Sequence, residues 1–173
     1  APKMDLMATD ALGREWQLST VQIDMVQPRR FDMTYTNNEG KDERPVTIHR
    51  AIIGSPERLM MILIEHYAGA FPIWLAPVQL QLVTISETEV EHAKSLFTSL
   101  KEAGLRVELD DSNKSLGKKL ALARGNKSPY TGIVGAKEVE TNTITLKNRE
   151  GDQTTLNLDE TIAKLRQEID SKV

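Results

Sequence analysis

The chain has 173 residues, enough for one medium domain or two small ones with real cores. Its net charge of −3 makes no global demand for nucleic acid, so any such site has to be a local patch. The absence of cysteine excludes disulfides, thiolate metal sites and thiol chemistry. No stretch has the apolar length of a membrane span and no signal peptide is visible, which fits a cytoplasmic protein. The sequence opens inside what reads as a strand, so a fragment is expected.

Residues 3–8 and 15–25 read as two strands around the turn Thr9-Asp10-Ala11-Leu12-Gly13. Strict alternation in the second puts Trp16, Leu18, Thr20 and Gln22 on one side, and Gln17, Ser19, Val21 and Ile23 on the other. Polar residues therefore fall on both faces, as in a strand lining a polar cleft or in an edge strand. Pro28-Arg29-Arg30 reads as a loop. Residues 31–36 and 44–53 are expected to pair as a hairpin across Asn37-Asn38-Glu39-Gly40.

Gly54 breaks that strand, and Ser55-Pro56-Glu57 restarts the chain as a helix: an N-cap, a first-turn proline and an acid that complements the dipole. From 59 to 68 the helix is apolar almost all round, which predicts burial, with Gly69 placed to end it. Arg58 is the exception. It stands at the helix N-terminus, where it suits a phosphate or pairs with Glu57 or a neighbouring carboxylate. His49, on the preceding strand, reads as a hydrogen-bonded core or edge residue more readily than as a metal ligand.

Two prolines bracket a connector at 72–77, which predicts domains over 1–76 and 77–173. Residues 78–85 form a strand, and Ser86-Glu87-Thr88-Glu89 is a capping box opening a helix striped by Val90, Ala93, Phe97 and Leu100. Gly104 ends it and 105–109 is a strand, so this βαβ unit should hold two parallel strands. A helix over 116–124 ends at Gly125, followed by a strand at 130–134 and a hairpin of 143–147 with 153–156. The last helix, 159–169, turns Ile162, Leu165 and Ile169 inward. The second domain is thus α/β with a mixed sheet. Lys114, Lys118, Lys119, Arg124 and Lys127 lie between Asn113 and Ser128 with no acid among them. This is a positive patch suited to an RNA backbone, or an ordinary solvated helix face.

Gly54-Ser55-Pro56-Glu57-Arg58, entering a helix from an antiparallel strand, resembles the third signature motif of class II aminoacyl-tRNA synthetases. The longer string IHRAIIGSPERLMMILIEHYAGAFPIWLAPVQ resembles the threonyl-tRNA synthetase family, and the likeness runs over the whole chain, densest up to Gln79. It implies an antiparallel α+β remnant of a class II catalytic domain followed by an α/β anticodon-binding domain.

WQLSTVQID resembles the family's WQxGTxQxD strand, which implies that Gln17 and Thr20 approach ATP and Gln22 the threonine or adenylate. Ser19 departs from a usual glycine and is expected to crowd ATP slightly. By the same resemblance Arg58 contacts the ATP γ-phosphate, Ser55 lies in the threonine pocket and Lys3 sits on the catalytic rim. His49 matches the last of three zinc ligands, whose partners, a cysteine and a histidine, lie upstream of Ala1. The first and second motifs lie upstream too, so the chain alone is expected not to activate threonine.

Asn113-Lys114-Ser115-Leu116-Gly117-Lys118-Lys119 and the turn Gly135-Ala136-Lys137-Glu138 resemble the anticodon-domain segments RNEKxGxK and GDKE. The resemblance implies base reading by Asn113 and Glu138. Lys127 and Lys147, where arginine is usual, lose the bidentate fork and suit phosphate, as do Lys118 and Lys119. The implied cofactors are ATP with Mg2+ and Zn2+, and the implied partners are tRNA(Thr), threonine and a second subunit of a homodimer. A non-catalytic, synthetase-derived tRNA-binding module is the alternative. Retention of Gln17, Thr20, Gln22, His49, Ser55 and Arg58 speaks against it.

Overall fold

A computed structural model describes residues 2–172, which fall into two compact units divided between Ala68 and Gly69. In the first, β1 (Lys3–Thr9), β2 (Glu15–Asp24) and β5 (Thr47–Ala51) make an antiparallel sheet in the order β1-β2-β5. Between β2 and β5 lie α1 (Gln27–Arg30), β3 (Tyr35–Thr36) and β4 (Asp42–Glu43), while β1 runs into β2 through a tight turn organised by Asp10. Its carboxylate accepts the backbone N–H groups of Leu12 and Arg14, each at 2.9 Å, Arg14 Nε at 2.5 Å and Trp16 Nε1 at 2.8 Å.

Burial alone would raise the Asp10 pKa, but the bonds from Trp16 and Arg14 outweigh it and hold the carboxyl well below its ordinary value of 3.8. A depressed folded-state pKa contributes stability that is present above the unfolded value and is lost as pH falls through the folded one. The first unit should therefore weaken progressively below about pH 4. Asp10→Asn should be less stable than wild type at pH 7 and should converge with it in strong acid. Trp16 fluorescence during denaturant titration at several pH values checks this; a wild-type-to-variant gap that stays constant with pH would count against it.

The hairpin differs from the sequence expectation. Tyr35–Thr36 pairs with Asp42–Glu43, while Thr47–Ala51 pairs with β2. Pro45 supplies the reason: lacking an N–H, it interrupts the ladder, and the chain resumes as a strand of another sheet. Asn37 Oδ1 closes the turn by accepting Glu39 N and Lys41 N. Pro28-Arg29-Arg30, expected as a loop, lies in the single turn α1 with proline at its start.

The helix α2 (Pro56–Tyr67) begins at Ser55, whose hydroxyl accepts Arg58 N at 3.3 Å. Its left-handed C-cap is Ala68 (φ 49°) rather than Gly69, which follows at φ 77°. The burial expected for this helix is also corrected. None of its residues is buried, and Met60 and Ile64 are 57% and 52% exposed. Among the described residues the buried apolar side chains lie between Ile73 and Leu165, in the second unit, apart from Pro28.

That second unit holds a five-stranded sheet in the order β10-β9-β8-β6-β7, built from β6 (Leu80–Thr84), β7 (Val107–Asp110), β8 (Tyr130–Val134), β9 (Thr143–Asn148) and β10 (Gln153–Asn157). β6 is parallel to both β7 and β8; β8, β9 and β10 are antiparallel neighbours. The mixed sheet and the parallel βαβ pair are as expected. The Ser86–Glu89 capping box is present and opens a 3-10 turn into α3 (Val90–Glu102). The stripe of α3 includes Leu96, which the sequence pattern passed over; Val90 and Phe97 are half-buried.

Period-two alternation assigns the sheet faces. Leu80, Leu82, Val107, Val134, Ile144 and Leu146 join Ala93, Leu96 and Leu100 of α3 and Leu165 of α6 (Leu158–Ser171) in one core. Gly132 lies on this face, where a Cβ would come within 2.7 Å of Leu82 Cδ2. Only glycine leaves the packed leucine room. The opposite face meets α4 (Leu116–Gly125) over β6, and past α4 its residues Thr131, Ile133, Thr145 and Lys147 are half-buried while Gln153 and Thr155 are exposed.

Residues 69–77 pack with the second unit through two arginines. Arg106 donates to Ala76 O, Ile73 O and Trp74 O, and Gln79 Nε2 adds a bond to Ile73 O. Arg149 donates to Ala70 O and Phe71 O. The connector's peptide carbonyls, which no ladder serves, are satisfied this way.

Candidate functional sites

The first candidate surface is one face of the β1-β2-β5 sheet. Register sets Lys3, Gln22 and His49 in one row and Asp5, Thr20 and Ala51 in the next. Alternation alone would send Gln17 to the opposite face. Instead Leu6 pairs with Ser19 and Met7 with Gln17, so Leu18 is an extra residue in β2. This bulge reverses the alternation and returns Gln17 to the polar face, a common use of bulges beside functional sites. Its Nε2 donates to Asp5 Oδ1 at 2.8 Å, and Lys3 pairs with Asp5 at 3.0 Å. The Thr20 hydroxyl, then Lys3, hold the Asp5 carboxyl below its ordinary value.

The bulge also anchors the helix. Leu18 O accepts Gly54 N at 2.7 Å, an approach at which a Cβ on residue 54 would stand 3.3 Å from that oxygen. Arg58 Nη1 donates to Gln17 O at 2.7 Å, and its guanidinium lies 5.7 Å from the Trp16 ring centroid. Arg58 is therefore not tied to Glu57; that carboxylate accepts the Ser55 hydroxyl at 2.9 Å instead. The Ser19 hydroxyl donates to Ala51 O at 2.7 Å, so it is committed to the neighbouring strand.

His49 Nε2 lies 3.1 Å from Asp24 Oδ2. Asp24 also accepts the backbone N–H groups of Gln27 and Val26, and these, followed by His49, keep its carboxyl below the ordinary range. Among the described residues no three His, Cys, Asp or Glu gather as a metal shell. Asp5 and Asp24, which position Gln17 and His49, were not singled out from sequence; their pairings depend on register.

The second candidate surface is the face of the mixed sheet beyond α4, carrying Thr131, Ile133, Thr145, Lys147, Gln153 and Thr155. Glu138 belongs to α5 (Ala136–Thr141), a short helix where the sequence suggested only a turn. Its Oε2 accepts Gly135 N at 3.1 Å and its Oε1 accepts Thr145 Oγ1 at 2.8 Å. Asn113 is exposed in the loop between β7 and α4, and Lys118 is exposed on the first turns of α4. Both Asn113 and Glu138 follow the C-terminal ends of parallel strands, where α/β sheets place their binding residues. Lys127 and Lys147 instead line one cavity of about 310 Å³ with Arg124 and Arg149, at the start of β8 and the end of β9. The two sets stand roughly 15 Å apart along the sheet.

Lys119 departs from its neighbours. It is 2% exposed, with Nζ donating to Thr84 O and Thr84 Oγ1, each at 2.9 Å. This geometry corrects its reading as a phosphate contact, since the ammonium is turned inward.

Comparison with known proteins follows the same division. Residues 79–168 match the family described as the anticodon binding domain, and residues 1–67 match the tRNA synthetase class II core domain (G, H, P, S and T). The threonine–tRNA ligase of Clostridium tetani is 46% identical over 173 residues, covering 99% of this chain and 27% of the relative. That of Thermoplasma acidophilum is 47% identical over 171 residues, covering 99% and 26%. The chain thus spans about a quarter of the length of these curated relatives. The crystal structure of the RNA binding domain of threonyl-tRNA synthetase from Cryptosporidium parvum superposes with a TM-score of 0.90 at 38% identity, over 96% of this chain and 42% of that one.

Proposed function

The chain belongs to the anticodon binding domain family, preceded by the end of a class II synthetase core, and from that premise we propose that it is part of a threonine–tRNA ligase that recognises the anticodon of tRNA(Thr). Its first unit contributes part of the site that activates threonine with ATP and Mg2+. The proposed sequel in the whole enzyme is a cytoplasmic homodimer. No helix among the described residues is long and apolar enough to cross a membrane.

In the first unit the polar face suits this role residue by residue. Arg58 brings a cation to the N-terminus of a twelve-residue helix, where backbone N–H groups and the dipole favour phosphate. Gln17 and Thr20 line the ATP side of the face with it, Gln22 and Ser55 the threonine side, and Lys3 the rim. ATP bound with Mg2+ supplies the phosphoryl electrophile and its leaving group. His49 with Asp24 does not by itself fit zinc, which takes four ligands in a tetrahedron. An imidazole already facing a carboxylate is a metal ligand's usual companion arrangement, so His49 is proposed as one ligand of a shell completed from outside these residues.

The single observation that carries the RNA reading is the half-exposed polar face of the mixed sheet on which Glu138 is fixed through Thr145, with Asn113 exposed in the loop after β7 at the same C-terminal ends of the parallel strands. Single-stranded loops are read by stacking and by hydrogen bonds to base edges, which such a face can offer. The test is a competition titration with cognate and base-swapped anticodon stem-loops at two salt concentrations. Lys118→Ala should weaken binding to all loops alike and lower the salt slope by about 0.7. Asn113→Ala and Glu138→Gln should erode the preference for the threonine anticodon by about 1–3 kcal/mol each, on the scale of base-edge contacts. A wild-type chain that shows no preference between the loops overturns the reading.

A further inference from the structure

The cations around the 310 Å³ cavity are not equivalent. Lys127 sits in the left-handed region at φ 54°, just past the end of α4, with its N–H donating to Arg124 O at 3.1 Å. Arg149 lies in the turn between β9 and β10, and its guanidinium is committed to backbone. Nε donates to Lys127 O at 3.0 Å, and Nη2 donates to the same oxygen. Nη1 donates to Ala70 O at 3.1 Å, and Nη2 also to Phe71 O at 2.7 Å. Burial, only partly offset by Glu150, pulls the Arg149 pKa downward, in keeping with a group turned toward protein.

We propose that Arg149 is a positioning residue for RNA binding: by gripping the Lys127 carbonyl and the connector carbonyls of Ala70 and Phe71 together, it holds Lys127 in the conformation that presents its ammonium to the RNA backbone. The proposal rests on the reading of Lys127 as a phosphate contact. A planar guanidinium is suited to the task because its fixed fork reaches several carbonyls at once, which a lysine cannot do. One consequence is that the connector and the RNA face share a side chain. Whatever loosens residues 70–71 is felt at Lys127.

The test uses the 173-residue chain with Arg149→Gln, Lys127→Ala and the double variant, and Arg149→Lys as a milder change. Affinity for an anticodon stem-loop is measured for each, with hydrogen exchange of the free proteins read at 69–76, 126–129 and α3. Arg149→Gln should raise exchange at the first two segments together and leave α3 protected. It should weaken RNA binding about fivefold, Arg149→Lys less, in line with the loss of hydrogen bonds to a charged group. The double variant should bind no more weakly than Lys127→Ala alone, because Arg149 acts through that residue. Independent losses that multiply in the double variant overturn the positioning role, as does unchanged binding by Arg149→Gln. Lys127→Ala with unchanged affinity removes the phosphate contact itself, and the positioning role with it, while the titrations of Asn113 and Glu138 variants still judge the anticodon reading separately.

Discussion

Replacing Lys119 by alanine is expected to destabilise the second unit by about 2–4 kcal/mol, combining a buried cavity with a lost charge-assisted hydrogen bond. The side chain crosses from α4 to the end of β6, where both partners belong to Thr84, itself 1% exposed. Asp110 stands within its field. Burial would raise the Asp110 pKa, but the Ser112 hydroxyl and backbone N–H, then Lys114 and Lys119, hold it below the ordinary value. Removing Lys119 therefore also leaves a partly buried carboxylate with less compensating charge. Lys119→Met would keep most of the volume and lose only the polar contacts, so it should fall between wild type and alanine. Lys118→Ala, one residue earlier on the exposed side, should change stability by no more than about 0.5 kcal/mol. Urea denaturation followed by circular dichroism separates these cases. If Lys119→Ala melts like wild type yet loses RNA affinity, the inward-facing role is wrong and the phosphate reading returns.

The second large effect concerns Arg58. In the proposed longer threonine–tRNA ligase, Arg58→Ala should slow threonine activation by about 10²–10³, the usual consequence of losing one preorganised group that stabilises developing charge. The side chain is held in advance: Gln17 O fixes one nitrogen and Trp16 flanks the guanidinium. Little reorganisation remains to be done when phosphate arrives. Arg58→Lys keeps the charge but loses the fork and the stacking geometry, so it should restore only part of the rate. Threonine-dependent pyrophosphate exchange measures this, with anticodon stem-loop binding as the control that should not move. A loss smaller than about tenfold in Arg58→Ala would remove Arg58 from the phosphate-stabilising role.

Much of the second unit was legible because its signals are short-range. Four or five residues suffice for the Ser86–Glu89 capping box, and a helix between two apolar strands implies a parallel pair. The same kind of short-range signal stands at Asn157–Glu160, a capping box that opens α6, and at Gly135–Glu138, where Glu138 bonds back to the first amide. In the first unit the sequence by itself determined the helix start at Ser55 and the two strands around Asp10. It did not determine which strand β5 would join, because pairing is a long-range choice and Pro45 merely forbade one option. Nor did it place Gln17. Alternation counts residues, and a bulge that skips Leu18 changes the count in a way visible only once β1 and β2 are paired. Lys118 and Lys119 show the limit most plainly. They are identical in composition terms and adjacent in sequence, yet about 100° apart around α4. Only the packing of that helix against the end of β6 decides that one ammonium meets solvent and the other the Thr84 carbonyl.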